Sequence, residues 1–224
     1  MLVVVLDTAT PAVTAALAEV TPDDVVVLAQ RVTVDARAHG ELLAPQVHAV
    51  LAEGGVRPRD LAAVVAGVGP GPFTGLRVGL VTAAALADTT GVPAYGVCSL
   101  DGLGLGSGPG RALVATDARR REIYWAVYDD GVRLTGPAVD RPADVAEAAR
   151  GLGAAHAVGD GAHRYADVLA LPVRPEPRYP APAALARLAA DRVRAGAPSE
   201  RLVPLYLRRP DAVPPASRGK PVSQ

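Results

Sequence analysis

Residues 1–34 read MLVVVLDTATPAVTAALAEVTPDDVVVLAQRVTV, and the architecture of the chain follows from them. Residues 2–6 are a β-branched run closed by Asp7 and a turn at Thr10 and Pro11. Residues 13–20 continue with small apolar side chains, and 25–34 form a third run after Thr21-Pro22-Asp23-Asp24. Such runs between turn-forming residues predict strands. Three of them joined by short turns predict antiparallel neighbours. A dinucleotide-binding fold would open strand, helix, strand, so that class is set aside.

Farther along, Leu43, Val47, Val50 and Leu51 fall at i, i+4, i+7 and i+8, which predicts a helix over 40–53 that stops at Gly54-Gly55. Pro45 either lies in its first turn or kinks it. Residues 61–68 read as a fully buried strand, 76–88 as an Ala- and Leu-rich helix, and 92–97 as a short strand. The stretch 102–110 has a glycine at every second position and reads as a flexible joint. Beyond it, 112–116 and 122–128 are strands, the second with Ile123, Trp125 and Val127 on one face and Tyr124, Ala126 and Tyr128 on the other. Helices follow at 142–150, 165–169 and 183–195, with a short strand at 156–158 and a proline-rich extended stretch at 171–182. The expectation is an α/β chain of two lobes, each a mixed sheet with flanking helices. The first lobe spans 1–105, the second 106–209, and 210–224 is a disordered tail. The β-β-β-α-β-α order is that of the ribonuclease-H-like lobe of actin-like ATPases, an analogy that bears on fold alone.

Composition narrows the function classes. Lys plus Arg number 23 and Asp plus Glu number 23, so nucleic acid is not gripped by bulk charge. One cysteine, Cys98, excludes an internal disulfide framework and a cysteine-based zinc site. The opening apolar run stops at Asp7, and 76–87 is short and interrupted by Arg77, so neither a signal peptide nor a membrane span is expected. These readings lead to the expectation of a soluble chain in a reducing, cytoplasmic compartment.

The most specific stretch is GVGPGPFTGLRVG at 67–79. Together with LDTAT at 6–10, GVCSLDGL at 96–103, TDARRREIYWAVY at 116–128 and PLYLRRPDA at 204–212, it resembles the TsaB (YeaZ) family. The resemblance spans about 2–212, with Pro72 where that family usually has Ser. It implies an actin-like ATPase fold and a non-catalytic scaffold. Such a scaffold supports a TsaD-type catalytic subunit and acts with a TsaE-type ATPase. The product would be N6-threonylcarbamoyladenosine at position 37 of tRNAs that read codons starting with A. It also implies a homodimer in isolation, contact with tRNA through the complex, and no cofactor of the chain's own, with ATP or ADP and metal on the partner. TsaD-like chains carry Asn-His-x-x-Gly-His after the equivalent strand. Here Ser99 and Leu103 stand in the two histidine places, and leucine cannot ligate a metal.

Asp7, Thr8, Thr10, Gly69, Gly71, Thr74 and Asp117 are the candidate nucleotide-binding positions, since a Gly-rich loop opening a helix can present N–H groups to phosphate. Against this, Pro70 and Pro72 remove donors, and the structural reading is a rigid strand-to-helix turn with Phe73 against the sheet. Asp117 is equally a turn former or a partner for Arg119 or Arg77. Cys98 reads as a small core residue. No catalytic or metal-ligating residue is assigned. Arg119-Arg120-Arg121 is the one basic triplet and by default a solvated turn. The helices at 40–53 and 75–88 carry more apolar surface than one sheet face needs. Burial by the chain's own second lobe would explain that. The resemblance favours a partner helix pair instead, through Leu42, Leu43, Gln46, Val47, Val50, Leu76, Arg77, Leu80 and Ala84. The alternative function is an active ATPase or peptidase acting on its partner.

Overall fold

In a computed structural model of the chain, residues 1–208 are described. The strands β1 (Leu2–Asp7), β2 (Ala12–Val20) and β3 (Val25–Val34) are antiparallel, as their short turns predict. Helix α1 (His39–Glu53) keeps Pro45 inside it and leads to β4 (Ala63–Gly67). Helix α2 (Phe73–Thr90) then leads to β5 (Ala94–Val97). The sheet order is β3-β2-β1-β4-β5, with β4 parallel to β1 and to β5. Both faces of β1 are covered, which explains its unbroken apolar run. Val4 and Leu6 pack with Leu43, Val50, Leu76 and Leu80 beneath α1 and α2. Val3 and Val5 face the other way.

A short helix, α3 (Ser99–Leu105), occupies the start of the glycine-rich stretch, so the expected flexible joint is corrected there. Gly102 and Gly104 are buried, and a Cβ on Gly104 would lie 2.3 Å from the Tyr128 ring. Close packing, not looseness, calls for glycine at that position. The second sheet has β6 (Arg111–Asp117), β7 (Ile123–Asp129), β8 (Val132–Asp140) and β9 (His156–Val158) in the order β8-β7-β6-β9. The two faces of β7 fall as its alternation predicts. Ile123, Trp125 and Val127 join one core cluster, and Tyr124, Ala126 and Tyr128 join another. Helix α4 (Pro142–Gly151) and the short α5 (Asp160–Arg164) and α6 (Ala166–Leu169) flank this sheet.

The last helix, α7 (Pro182–Arg194), belongs in sequence to the second half but packs on the first sheet. Leu185, Ala186, Ala189, Ala190 and Val193 cover Val3, Val5, Ala16 and Tyr95. Small alanines let the helix sit close to a sheet face made of valines and alanines. Among the described residues no helix is long and apolar enough to cross a membrane. The expected tail at 210–224 lies outside the described residues.

Candidate functional site

The two halves meet at the end of β1. Asp7 is 1% exposed there and accepts two hydrogen bonds, from the Ala9 N–H at 3.0 Å and the Ser99 hydroxyl at 2.5 Å. Ser99 also accepts from the Gly69 N–H at 3.3 Å, and its own N–H donates to the Gly69 carbonyl at 2.7 Å. Burial pushes the Asp7 carboxyl up to about 6, although the Ser99 and Ala9 hydrogen bonds and His39 pull it down. Gly67 allows the carboxylate in, because a Cβ at that position would lie 1.8 Å from Oδ2.

Thr8 and Thr10 are engaged as well. The Thr8 hydroxyl donates to the Gly75 carbonyl at 2.8 Å and accepts from the Gly79 N–H at 3.0 Å. Gly79 permits that approach: its Cβ would fall 2.3 Å from Thr8 Oγ1. Thr10 Oγ1 accepts from the Ala12 N–H, and His39 Nε2 donates to the Thr10 carbonyl at 2.9 Å. The backbone of Gly71 presses on Ala9, and the Tyr124 hydroxyl of the second half reaches the Gly71 carbonyl at 3.4 Å.

Of the candidate nucleotide-binding positions, Thr8, Thr10, Thr74 and Asp117 line one cleft of about 350 Å³ between the halves, with His39 and Arg119. Asp7, Gly69 and Gly71 lie behind it and do not line it. Asp117 takes the Arg119 N–H and the Arg164 guanidinium, both at 3.2 Å, and not Arg77. The Thr8 and Thr10 hydroxyls are engaged, Pro70 and Pro72 have no N–H, and Gly71 is pressed against backbone, whereas the exposed Thr74 lines the cleft with Arg37 and Arg119.

Leu103, Cys98 and His156 sit in packing roles. Leu103 is fully buried among Leu100, Val114, Ala126 and Tyr128. Burial and the nearby Asp101 push the Cys98 thiol up to about 11, so little thiolate exists near neutrality. His156 Nε2 meets the Ser107 carbonyl at 3.0 Å, and His163 Nε2 the Pro175 carbonyl at 3.2 Å. Among the described residues no group of three His, Cys, Asp or Glu is placed to hold a metal ion.

The helix faces sort the interface candidates. Leu43, Gln46, Val47, Val50, Leu76 and Leu80 are buried in the chain's own fold, and Gln46 donates to Thr33 Oγ1 at 2.8 Å. Leu42 is half-buried, while Arg77 and Ala84 are exposed. The outward face of α2 also carries Val81, 67% exposed, and Phe73, 42% exposed. Phe73 does not pack on the sheet as expected. It stacks on Tyr206 with ring centroids 5.2 Å apart, and Arg77 lies 3.9 Å over its ring while donating to the Tyr206 hydroxyl at 2.8 Å. A groove of about 1020 Å³ runs between α2 and the extended residues 199–206, lined by Arg77, Val81, Ala84, Leu202, Val203 and Tyr206 among others. Phe73 and Tyr206 lie 133 residues apart, and nothing in the spacing of the sequence joins them.

A family model described as TsaD, tRNA N6-adenosine threonylcarbamoyltransferase, matches residues 26–173. The structure of YeaZ from Pseudomonas aeruginosa superposes with a TM-score of 0.74 at 27% identity, covering 92% of this chain and 99% of that one. The TsaB protein of Escherichia coli, named for tRNA threonylcarbamoyladenosine biosynthesis, is 38% identical over 96 residues, 41% of this chain and 42% of that protein. The chain belongs to the TsaB (YeaZ) branch of the TsaD family. Its fold is the two-lobed actin-like ATPase fold, as expected. An uncharacterized protein of Mycobacterium tuberculosis is 55% identical over 212 residues, covering 95% of this TsaB-family chain and 94% of that protein.

Proposed function

We propose that the chain is a scaffold in the synthesis of N6-threonylcarbamoyladenosine at position 37 of tRNAs reading codons that start with A. In this reading it has no turnover alone, docks a TsaD-type catalytic subunit that holds the nucleotide and metal, acts with a TsaE-type ATPase, and pairs with itself when the partner is missing. One observation carries it. Where TsaD-like chains resemble this one but bear two histidines, Ser99 is locked onto Asp7 and Gly69, and Leu103 is sealed in the core. Imidazoles are absent from both places, and the residues present are committed to the fold.

The outward face of α2 supports docking. Val81, Ala84 and the Phe73–Arg77–Tyr206 stack give an apolar surface with one fixed charge, which suits a partner helix. A charge placed at Val47 or Leu80 would strike the chain's own core, since they are 8% and 6% exposed. The informative substitutions are Val81→Glu and Ala84→Glu. Co-expression with the TsaD-type subunit should yield a complex with the wild-type chain and none with either variant, while each variant alone melts within about 2 °C of wild type. Depletion of the chain should lower threonylcarbamoyladenosine in tRNA. ATP hydrolysis by the purified chain at ordinary turnover, abolished by Asp7→Asn, would sink the scaffold reading.

A further inference from the structure

A third concavity, of about 730 Å³, opens on the far side of the β6–β7 turn. Four arginines line it: Arg120 and Arg121 from the turn, Arg141 at the start of α4, and Arg164 at the end of α5. Among the described residues no carboxylate lines it. Asp117 pairs with Arg164 from the side, and Glu122 is held by Arg208. Asp144 and Asp167 are exposed on the neighbouring helices but do not line the groove. In a chain whose formal net charge is zero, this is a local excess of one sign.

The turn holds its arginines against the preference of the backbone. Arg119, Arg120 and Arg121 have φ of 62°, 52° and 63°, a left-handed region that favours glycine or asparagine. Guanidinium groups are planar forks that match phosphate oxygens. Tyr165 lines the same groove, with the Arg164 guanidinium 5.8 Å from its ring, and offers a flat face for a base.

We infer that this groove holds the phosphodiester backbone of RNA, with Arg121, Arg141 and Arg164 on phosphates and Tyr165 against a base. The choice of RNA rests on the proposed role in a tRNA-modifying assembly; the presence of an anion site rests on the arginines alone. The test is fluorescence anisotropy of a labelled tRNA transcript with the full chain and with its co-purified complex, titrated at several salt concentrations. Arg121→Glu/Arg141→Glu should weaken binding at least about tenfold and flatten the log–log salt slope by about 2, since each lost phosphate contact removes nearly one unit. Arg59→Glu/Arg150→Glu changes the charge equally at exposed sites outside the groove and should change binding less than about threefold.

Equal weakening by the two double variants would overturn the groove, as would a wild-type complex that forms but binds no RNA. Polyglutamate of matched charge competing as well as RNA would overturn it in favour of an acidic protein surface. Pull-down of the TsaD-type subunit keeps the two proposals apart. A complex retained by Arg121→Glu/Arg141→Glu while RNA is lost supports both. RNA binding by a wild-type chain that never holds the partner supports the groove and removes the scaffold.

Discussion

The two sheets repeat one plan. In each, three antiparallel strands are followed by a helix and a strand parallel to the first, so β6 stands in the second sheet where β1 stands in the first. Each of these strands ends on an aspartate, Asp7 or Asp117. After β1 the chain turns inward, and Asp7, Thr8 and Thr10 are at most 3% exposed with their oxygens satisfied by the protein. After β6 it turns outward, and Arg119, Arg120 and Arg121 stand exposed. The same topological position has been closed in one half and left facing solvent in the other. The difference teaches that the closed turn serves the fold and the open turn is where contacts with other molecules are to be sought.

Substitutions at the two turns should therefore act oppositely on stability. Gly71→Ala tests the closed turn most severely, because its Cβ would fall 2.2 Å from the Ala9 carbonyl oxygen, a backbone atom that cannot swing aside. A loss of about 3 kcal/mol in urea denaturation is expected. Asp7→Asn comes next and appears as a pH effect. Burial pushes the folded carboxyl up to about 6 from the ordinary aspartate value of about 3.9, so the native state binds the proton more tightly than the unfolded chain. Its contribution is fullest below pH 4, falls as pH rises through 6 and is then flat, a change of about 3 kcal/mol that the Asn variant lacks. The difference between the two proteins isolates Asp7 from Asp160, whose buried carboxyl is also pushed up to about 6. Parallel stability–pH curves for both proteins would show that Asp7 is more solvated than its burial indicates.

Ser99→Ala removes one partner of a buried carboxylate and should cost about 1–2 kcal/mol, with the Asp7 titration moving further up. The smallest effect belongs to the open turn and has the opposite sign. Arg121→Gly relieves a left-handed residue and should raise stability by up to about 1 kcal/mol while weakening RNA binding. A loss of stability there would mean that the turn is structural like its counterpart.

Much of this plan was legible in the residues. The first three strands, the alternation of β7 and the breaks at Gly54-Gly55 followed from local periodicity and turn chemistry, and the structure agrees. Strand β8 was missed because Gly131, Gly136 and Pro137 punctuate it like a loop, although it pairs with β7 through two register shifts. The glycines of α3 looked like slack because the side chains that fill their space are distant in sequence: Leu185 beside Gly102 and Tyr128 beside Gly104. Helix α1 showed its buried face through Leu43, Val47, Val50 and Leu51, whereas α2 could be found but not phased. With alanine and valine on nearly every side, only the position of the sheet shows that Leu80 faces in and Val81 faces out. The closed site had a partial signal: Asp7 and Ser99 each stood in a recognisable motif, but their hydrogen bond joins residues 92 positions apart.

The return of α7 to the first sheet has a consequence for biosynthesis. Val3, Val5, Ala16 and Tyr95 leave the ribosome early, yet the helix that shields them is made of residues 182–194. Until that segment emerges, one side of the nascent sheet stays wet and adhesive. A premature stop anywhere before Pro182 would leave a fragment fit for a chaperone or a protease, and not half a working molecule.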